Sequence, residues 1–392
     1  MMKKLISLTL AAAMTMSLLA GCGSNSSAGT DSADASAETF KIGGIGPITG
    51  AGAVYGIAVK NGAELAIKEI NEAGGINGYQ IEYNFQDDEL DNEKSVNAYN
   101  TLKDWGMNML VGSVTSGCCV AVAAESKNDN MFQITPSGSS VDCIEGNDNV
   151  FQVCFTDPNQ GVGAADYIGG NNLASKVAVI YDSSDVYSSG IYAKFKEEAA
   201  TQNFEIVSEE AFTADNKTDF SVQLAKAQEA GAELVFLPIY YTEASLILKQ
   251  ADSMGYAPKF FGCDGLDGIL GVENFDTSLA EGVMLLTPFA ADAQDDLTKK
   301  FVSAYETAYN DTPNQFAADA YDAVYAIKAA AEKGDVAPSD GVSGICDKMK
   351  AAMQEITVDG LTGAGMNWAA DGTVNKAPKA MEIKNGAYAL VQ

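Results

Sequence analysis

Acid–base chemistry near neutral pH usually recruits histidine, and anion clamps usually recruit arginine. This 392-residue chain contains neither: it has no histidine, and all 24 of its basic residues are lysine. That excludes a Ser/His/Asp or Cys/His nucleophile pair, a His-liganded zinc and a bidentate guanidinium hold on phosphate or dicarboxylate. No GxSxG elbow and no SxxK motif occurs, so no hydrolase chemistry is expected and the chain reads as a non-enzyme. The 53 acidic residues give a formal net charge of −29, which repels nucleic acid and anionic membrane surfaces. Beyond Cys22, the cysteines at 118, 119, 143, 154, 263 and 346 show no CxxC pair and no metal-like spacing, so no metal site is expected. Their scattered spacing reads as small buried thiols, with disulfides as the alternative. Gly44, Gly46 and Gly50 resemble a dinucleotide turn, but the spacing is one residue too long and Pro47 interrupts it. With no Walker sequence either, no cofactor is expected, and these glycines are read as letting a loop approach a small ligand or a helix start.

The elements that must position any site begin after a leader. Lys3 and Lys4 precede an apolar run from Leu5 to Leu19, too short for a typical membrane span. The run ends in Leu19-Ala20-Gly21-Cys22, which resembles the lipobox of bacterial lipoproteins. The resemblance implies removal of residues 1–21 and acylation of Cys22, leaving a body held to the outer face of a membrane by lipid alone. Residues 22–38, small and polar, read as a flexible tether.

From Thr39 onward strand and helix signals alternate. Strands are expected at Phe40–Gly46, Ile81–Phe85, Met109–Val111, Met131–Thr135, Val177–Tyr181, Ile206–Phe212, Leu234–Pro238 and Phe260–Phe261. Helical periodicity appears around Val59–Ile70, Ala121–Ala124, Ile191–Thr201, Phe220–Ala230 and Ala244–Met254. Two such runs predict an α/β fold with parallel sheets in two lobes.

Phe40–Tyr55 (FKIGGIGPITGAGAVY), the helix end Ile70–Gly78 (INEAGGING) and Gln133–Ser137 (QITPS) resemble the branched-chain amino acid-binding proteins, type I periplasmic binding proteins that feed ABC importers. The resemblance runs from Thr39 to about Tyr388. It implies two Rossmann-like lobes joined by a three-segment hinge and closing over ligand, with residues 39–157 plus 289–372 in lobe 1 and 158–288 plus 373–392 in lobe 2. It implies that Ser116, with Ser137 and Ser139, meets an amino acid's carboxylate. A serine and free backbone N–H groups at a helix start suit an anion without any arginine. It implies that Asp264, one methylene shorter than the usual Glu, meets the ammonium, with Asp267 as a nearby competitor, and that Tyr55, Tyr187, Tyr240 and Phe316 form aromatic walls. Tyr241 should point to the other side from Tyr240. The first-lobe disulfide of some members is missing, its positions falling near Leu90 and Thr115. The expected function is a monomeric, extracytoplasmic, lipid-anchored binding protein that delivers an apolar amino acid to a membrane permease. An amide, urea-like or aromatic carboxylate ligand, or a sensor role, stands as the alternative.

Overall fold

The computed structural model describes residues 38–391; the leader, Cys22 and nearly all of the tether lie outside the described residues. The first lobe is built from β1 (Phe40–Gly46), α1 (Ala53–Glu72), β2 (Ile81–Asp87), α2 (Asn92–Trp105), β3 (Met109–Val111), α3 (Ser116–Asp129), β4 (Gln133–Thr135) and β5 (Val150–Gln152). Its strands run all parallel in the order β2-β1-β3-β4-β5. Parallel neighbours need crossover helices, which cover both faces of the sheet, and β3, β4 and β5 are buried throughout.

The chain then crosses over. It forms α4 (Asp157–Gly170), β6 (Lys176–Asp182), α5 (Val186–Ala199), β7 (Glu205–Phe212), α6 (Ser221–Glu229), β8 (Leu234–Leu237), α7 (Tyr241–Ser253), β9 (Lys259–Gly262) and β10 (Met284–Thr287). It returns with α8 (Asp296–Tyr309), α9 (Gln315–Lys333) and α10 (Gly341–Met353), and crosses a third time into β11 (Lys379–Lys384) and β12 (Ala387–Leu390). The second sheet has the order β12-β11-β10-β9-β8-β6-β7, parallel except for its last two strands. Two α/β lobes therefore stand as the alternation implied, and three crossings as the resemblance implied. Among the described residues no helix is long and apolar enough to cross a membrane.

Two packing features fix the frame. Gly62 lets α1 lie directly on α9: a Cβ there would come within 2.1 Å of the Ala317 carbonyl oxygen, a contact only glycine avoids. The third crossing is tied down by Lys376, a buried lysine that donates to Asp319 Oδ1 at 2.9 Å and to Thr362 Oγ1 at 2.5 Å. Thr362 in turn donates to Asp322 at 2.6 Å. Breaking such a buried pair would strand a charge in the interior.

Where expectation and structure differ, the reason is local. Helices begin at their caps, not at their first apolar residue. Thus α3 starts at Ser116, α5 at Val186 behind the Asp185 cap, and α7 at Tyr241. The strand expected from Met131 begins at Gln133. Helices α2, α4 and α8 to α10 and strands β5 and β10 to β12 went unread in the sequence; the buried face of α2 is Ser95, Ala98, Tyr99 and Leu102, only half of it strongly apolar. All six described cysteines are free and buried.

Candidate functional site

The C-terminal ends of both sheets face one another, the usual place for a ligand in open α/β sheets. Between them lies a narrow cavity lined by Tyr55, Val114, Thr115, Ser116, Ser137, Tyr187, Tyr240, Asp264, Gly265 and Phe316. Seven of the eight expected residues thus meet in one place. Val114, Thr115 and Gly265 join them as backbone neighbours of Ser116 and Asp264.

One pole is the start of α3. Its N-cap, Thr115, makes no side-chain cap bond, so the first-turn N–H groups have no side-chain partner there. Ser116 Oγ accepts the backbone N–H groups of Ser139 and Ser140, both at 3.1 Å. With its two lone pairs engaged, the hydroxyl has its hydrogen left to offer, the polarity a carboxylate needs. Ser116 therefore does not cap its own helix; it ties the loop after β4 to α3.

That loop is arranged differently from the expectation. The Ser137 N–H donates to Thr135 Oγ1 at 3.3 Å, and its hydroxyl donates to the Val114 carbonyl at 2.7 Å. Ser137 thus offers the cavity lone pairs, not a hydrogen. Ser139 is not in the cavity wall: its N–H is engaged by Ser116, and its hydroxyl lies beside Asp157. The turn set by Thr135 aims both groups away.

The opposite pole is Asp264, in a short turn after β9. The Tyr187 hydroxyl donates to its Oδ1 at 2.6 Å and accepts the Gly265 N–H at 2.9 Å. Its own N–H donates to Gln160 Oε1 at 3.1 Å. Burial pushes the Asp264 carboxyl up to about 7, against the opposing hydrogen bonds from Tyr187 and Gln160. Asp267, three residues on, is buried but outside the cavity wall; it accepts the Gln315 N–H at 3.0 Å.

Asp157, at the first crossing, is the residue the sequence reading passed over. It is 1% exposed, and neither of its carboxylate oxygens has a hydrogen-bond partner among the described residues. Burial pushes it well above the ordinary carboxylate range, with Asp264 adding to the effect. An acid followed by Pro158 at a helix start reads as a helix-start residue, which hid it.

The aromatic walls close the sides. Tyr187 and Tyr240 stack with centroids 4.9 Å apart and ring planes 8° apart. Tyr55 sits 4.5 Å from Phe316 and 5.8 Å from Tyr240. Outside the cavity the cleft mouth carries Asp91, Glu93, Asp182, Asp185 and Glu243 against one cation, Lys217, a field that disfavours anions.

A Ser116→Ala variant removes one donor to the ligand and strands two loop N–H groups. Each loss of this kind costs about 1–3 kcal/mol. Ligand affinity is expected to fall by roughly tenfold to a hundredfold, with a lower melting temperature, measured by calorimetric titration and thermal unfolding. Unchanged affinity would remove Ser116 from the site.

Comparison with known proteins places this geometry. Residues 39–387 match the family model described as periplasmic binding protein. A Leu/Ile/Val-binding protein homolog of Brucella melitensis is 33% identical over 308 residues, covering 77% of this chain and 81% of that protein. A leucine-, isoleucine-, valine-, threonine- and alanine-binding protein of Pseudomonas aeruginosa is 30% identical over 317 residues, covering 81% and 84%. Among solved structures, the branched-chain amino acid transporter substrate-binding protein LivJ of Streptococcus pneumoniae, in complex with isoleucine, superposes with a TM-score of 0.81. It is 30% identical and covers 90% of this chain and 98% of that one.

Proposed function

Because the chain belongs to the periplasmic binding protein family, among the relatives of Leu/Ile/Val-binding proteins, we propose that it is the extracytoplasmic solute-binding component of an ABC importer for an apolar amino acid. The observation that carries the reading is the polarity of the cavity. An open helix start and the Ser116 hydroxyl on the first lobe face the buried Asp264 carboxylate on the second. A zwitterion satisfies both ends at once: its carboxylate lies at α3, and its ammonium meets Asp264 and the Ser137 lone pairs. The side chain rests among Tyr55, Tyr240 and Phe316. Each lobe gains its contacts only when the other is close, so the ligand selects the closed form. The buried carboxylates and acidic mouth weigh against aromatic carboxylates and dicarboxylates, which bring no positive charge or too little of it.

The test is thermal unfolding of the body beyond Cys22 against the twenty amino acids, simple amides and dicarboxylates. A ligand at about 100 times its dissociation constant stabilises by roughly 2.7 kcal/mol. A shift with leucine, isoleucine or valine supports the reading; shifts with amides or dicarboxylates alone would sink it.

We further propose that Cys22 carries the membrane anchor, with the Leu-Ala-Gly-Cys motif as support. In a bacterial host, wild-type protein is expected in the membrane fraction with an intact mass raised by acyl chains. Cys22→Ser should yield unacylated protein, and an unmodified wild-type mass would refute the anchor.

A further inference from the structure

Helix starts on both lobes are completed by residues of the opposite lobe. The N-cap of α7, Tyr240, makes no side-chain cap bond; the Tyr241 N–H instead donates to the hydroxyl of Tyr55, across the cleft on α1, at 3.2 Å. The N–H of Gln315, first residue of α9, donates to Asp267 of the second lobe at 3.0 Å. Each of these N–H groups keeps its protein partner only while the lobes are together, so separating the lobes exchanges both bonds for water.

Around the first of these lies a cluster of further cross-lobe bonds. The Tyr241 hydroxyl accepts the Val54 N–H at 3.2 Å. Thr242 Oγ1 donates to the Ala51 carbonyl at 2.8 Å. The Tyr55 and Tyr241 rings pack edge-on, with centroids 4.7 Å apart. Tyr241, expected to point away from Tyr240, does so, into this contact. Neither Tyr241 nor Thr242 lines the cavity.

We propose that Tyr241 and Thr242 form a clasp that holds a substantial share of ligand-free molecules closed, and so sets affinity for every ligand without touching any. The part concerning affinity rests on the amino acid-binding reading above; the part concerning closure does not. Apparent affinity scales with the population of the binding-competent state. Removing two hydrogen bonds, each about a fivefold effect, should therefore weaken every ligand by the same factor, up to about 25-fold.

The experiment compares wild type with Tyr241→Phe, Thr242→Val and the double variant. Tyr241→Phe keeps the ring, and Thr242→Val alters a half-buried position, so both should fold, which circular dichroism checks. Small-angle scattering without ligand should give a larger radius of gyration for the double variant; equal radii would overturn the clasp. Titration with leucine and with alanine should show one common fold-loss. No loss, or a loss confined to one ligand, would assign these residues a different role. If no amino acid binds even the wild type, the functional reading has failed and scattering alone judges the clasp.

Discussion

Asp264→Asn should melt at a higher temperature than wild type at pH 8 without ligand, yet bind amino acids about 10²–10³-fold more weakly. Both effects follow from one buried carboxylate. Its folded pKa is pushed up to about 7, against about 3.9 unfolded. A raised acid contributes stability that is present below the unfolded value and is lost as pH rises through the folded one. At pH 8 the ionised group therefore costs the ligand-free fold on the order of 4 kcal/mol relative to its protonated form. Asparagine never ionises, and its side-chain oxygen can still accept the Tyr187 hydroxyl. The stabilisation should shrink as pH falls from 7 toward 4. The binding loss comes from leaving a buried ammonium unpaired, which costs about 3–5 kcal/mol. Thermal scans at pH 8 and pH 5, with and without leucine, check both signs. A variant that is less stable at pH 8, or that binds normally, would place Asp264 in a purely structural role.

The second large effect is a proton exchanged for a ligand. Below pH 7 the ligand-free Asp264 carries a proton that must leave before an ammonium can pair with it. Affinity should weaken by roughly tenfold for each pH unit below 7, about a hundredfold at pH 5, and level off above 8. Calorimetric titration in two buffers of different ionisation enthalpy should find close to one proton released at pH 6 and almost none at pH 8.5. No proton released at pH 6 would mean that the carboxylate is not the ammonium's partner.

The sequence conveyed the architecture because stretches such as Val177–Ile180 and Leu234–Leu237 are unbroken apolar runs, buried on both faces. It failed at α4, whose stretch GVGAADYIGG has four glycines and weak helical preference. Those small residues serve close approach: a Cβ on Gly161 would meet the Ile191 carbonyl oxygen of α5 at 2.5 Å. The cavity residues were legible through the family resemblance, because each follows a strand end or opens a helix. What the sequence did not carry was polarity. Whether Ser137 offers a hydrogen or a lone pair depends on Thr135 and Val114, and whether Asp157 is a surface cap or a buried charge depends on what packs over it.

The three crossings also bear on how the chain comes to be folded at all. The first lobe buries α1 against α9, and Asn77 hydrogen-bonds Ala331 from 254 residues away; the second sheet is finished only by β11 and β12, ending at Leu390. A chain threading N-terminus first through a narrow export channel cannot complete either half until almost all of it has passed. Such long-range pairing folds slowly.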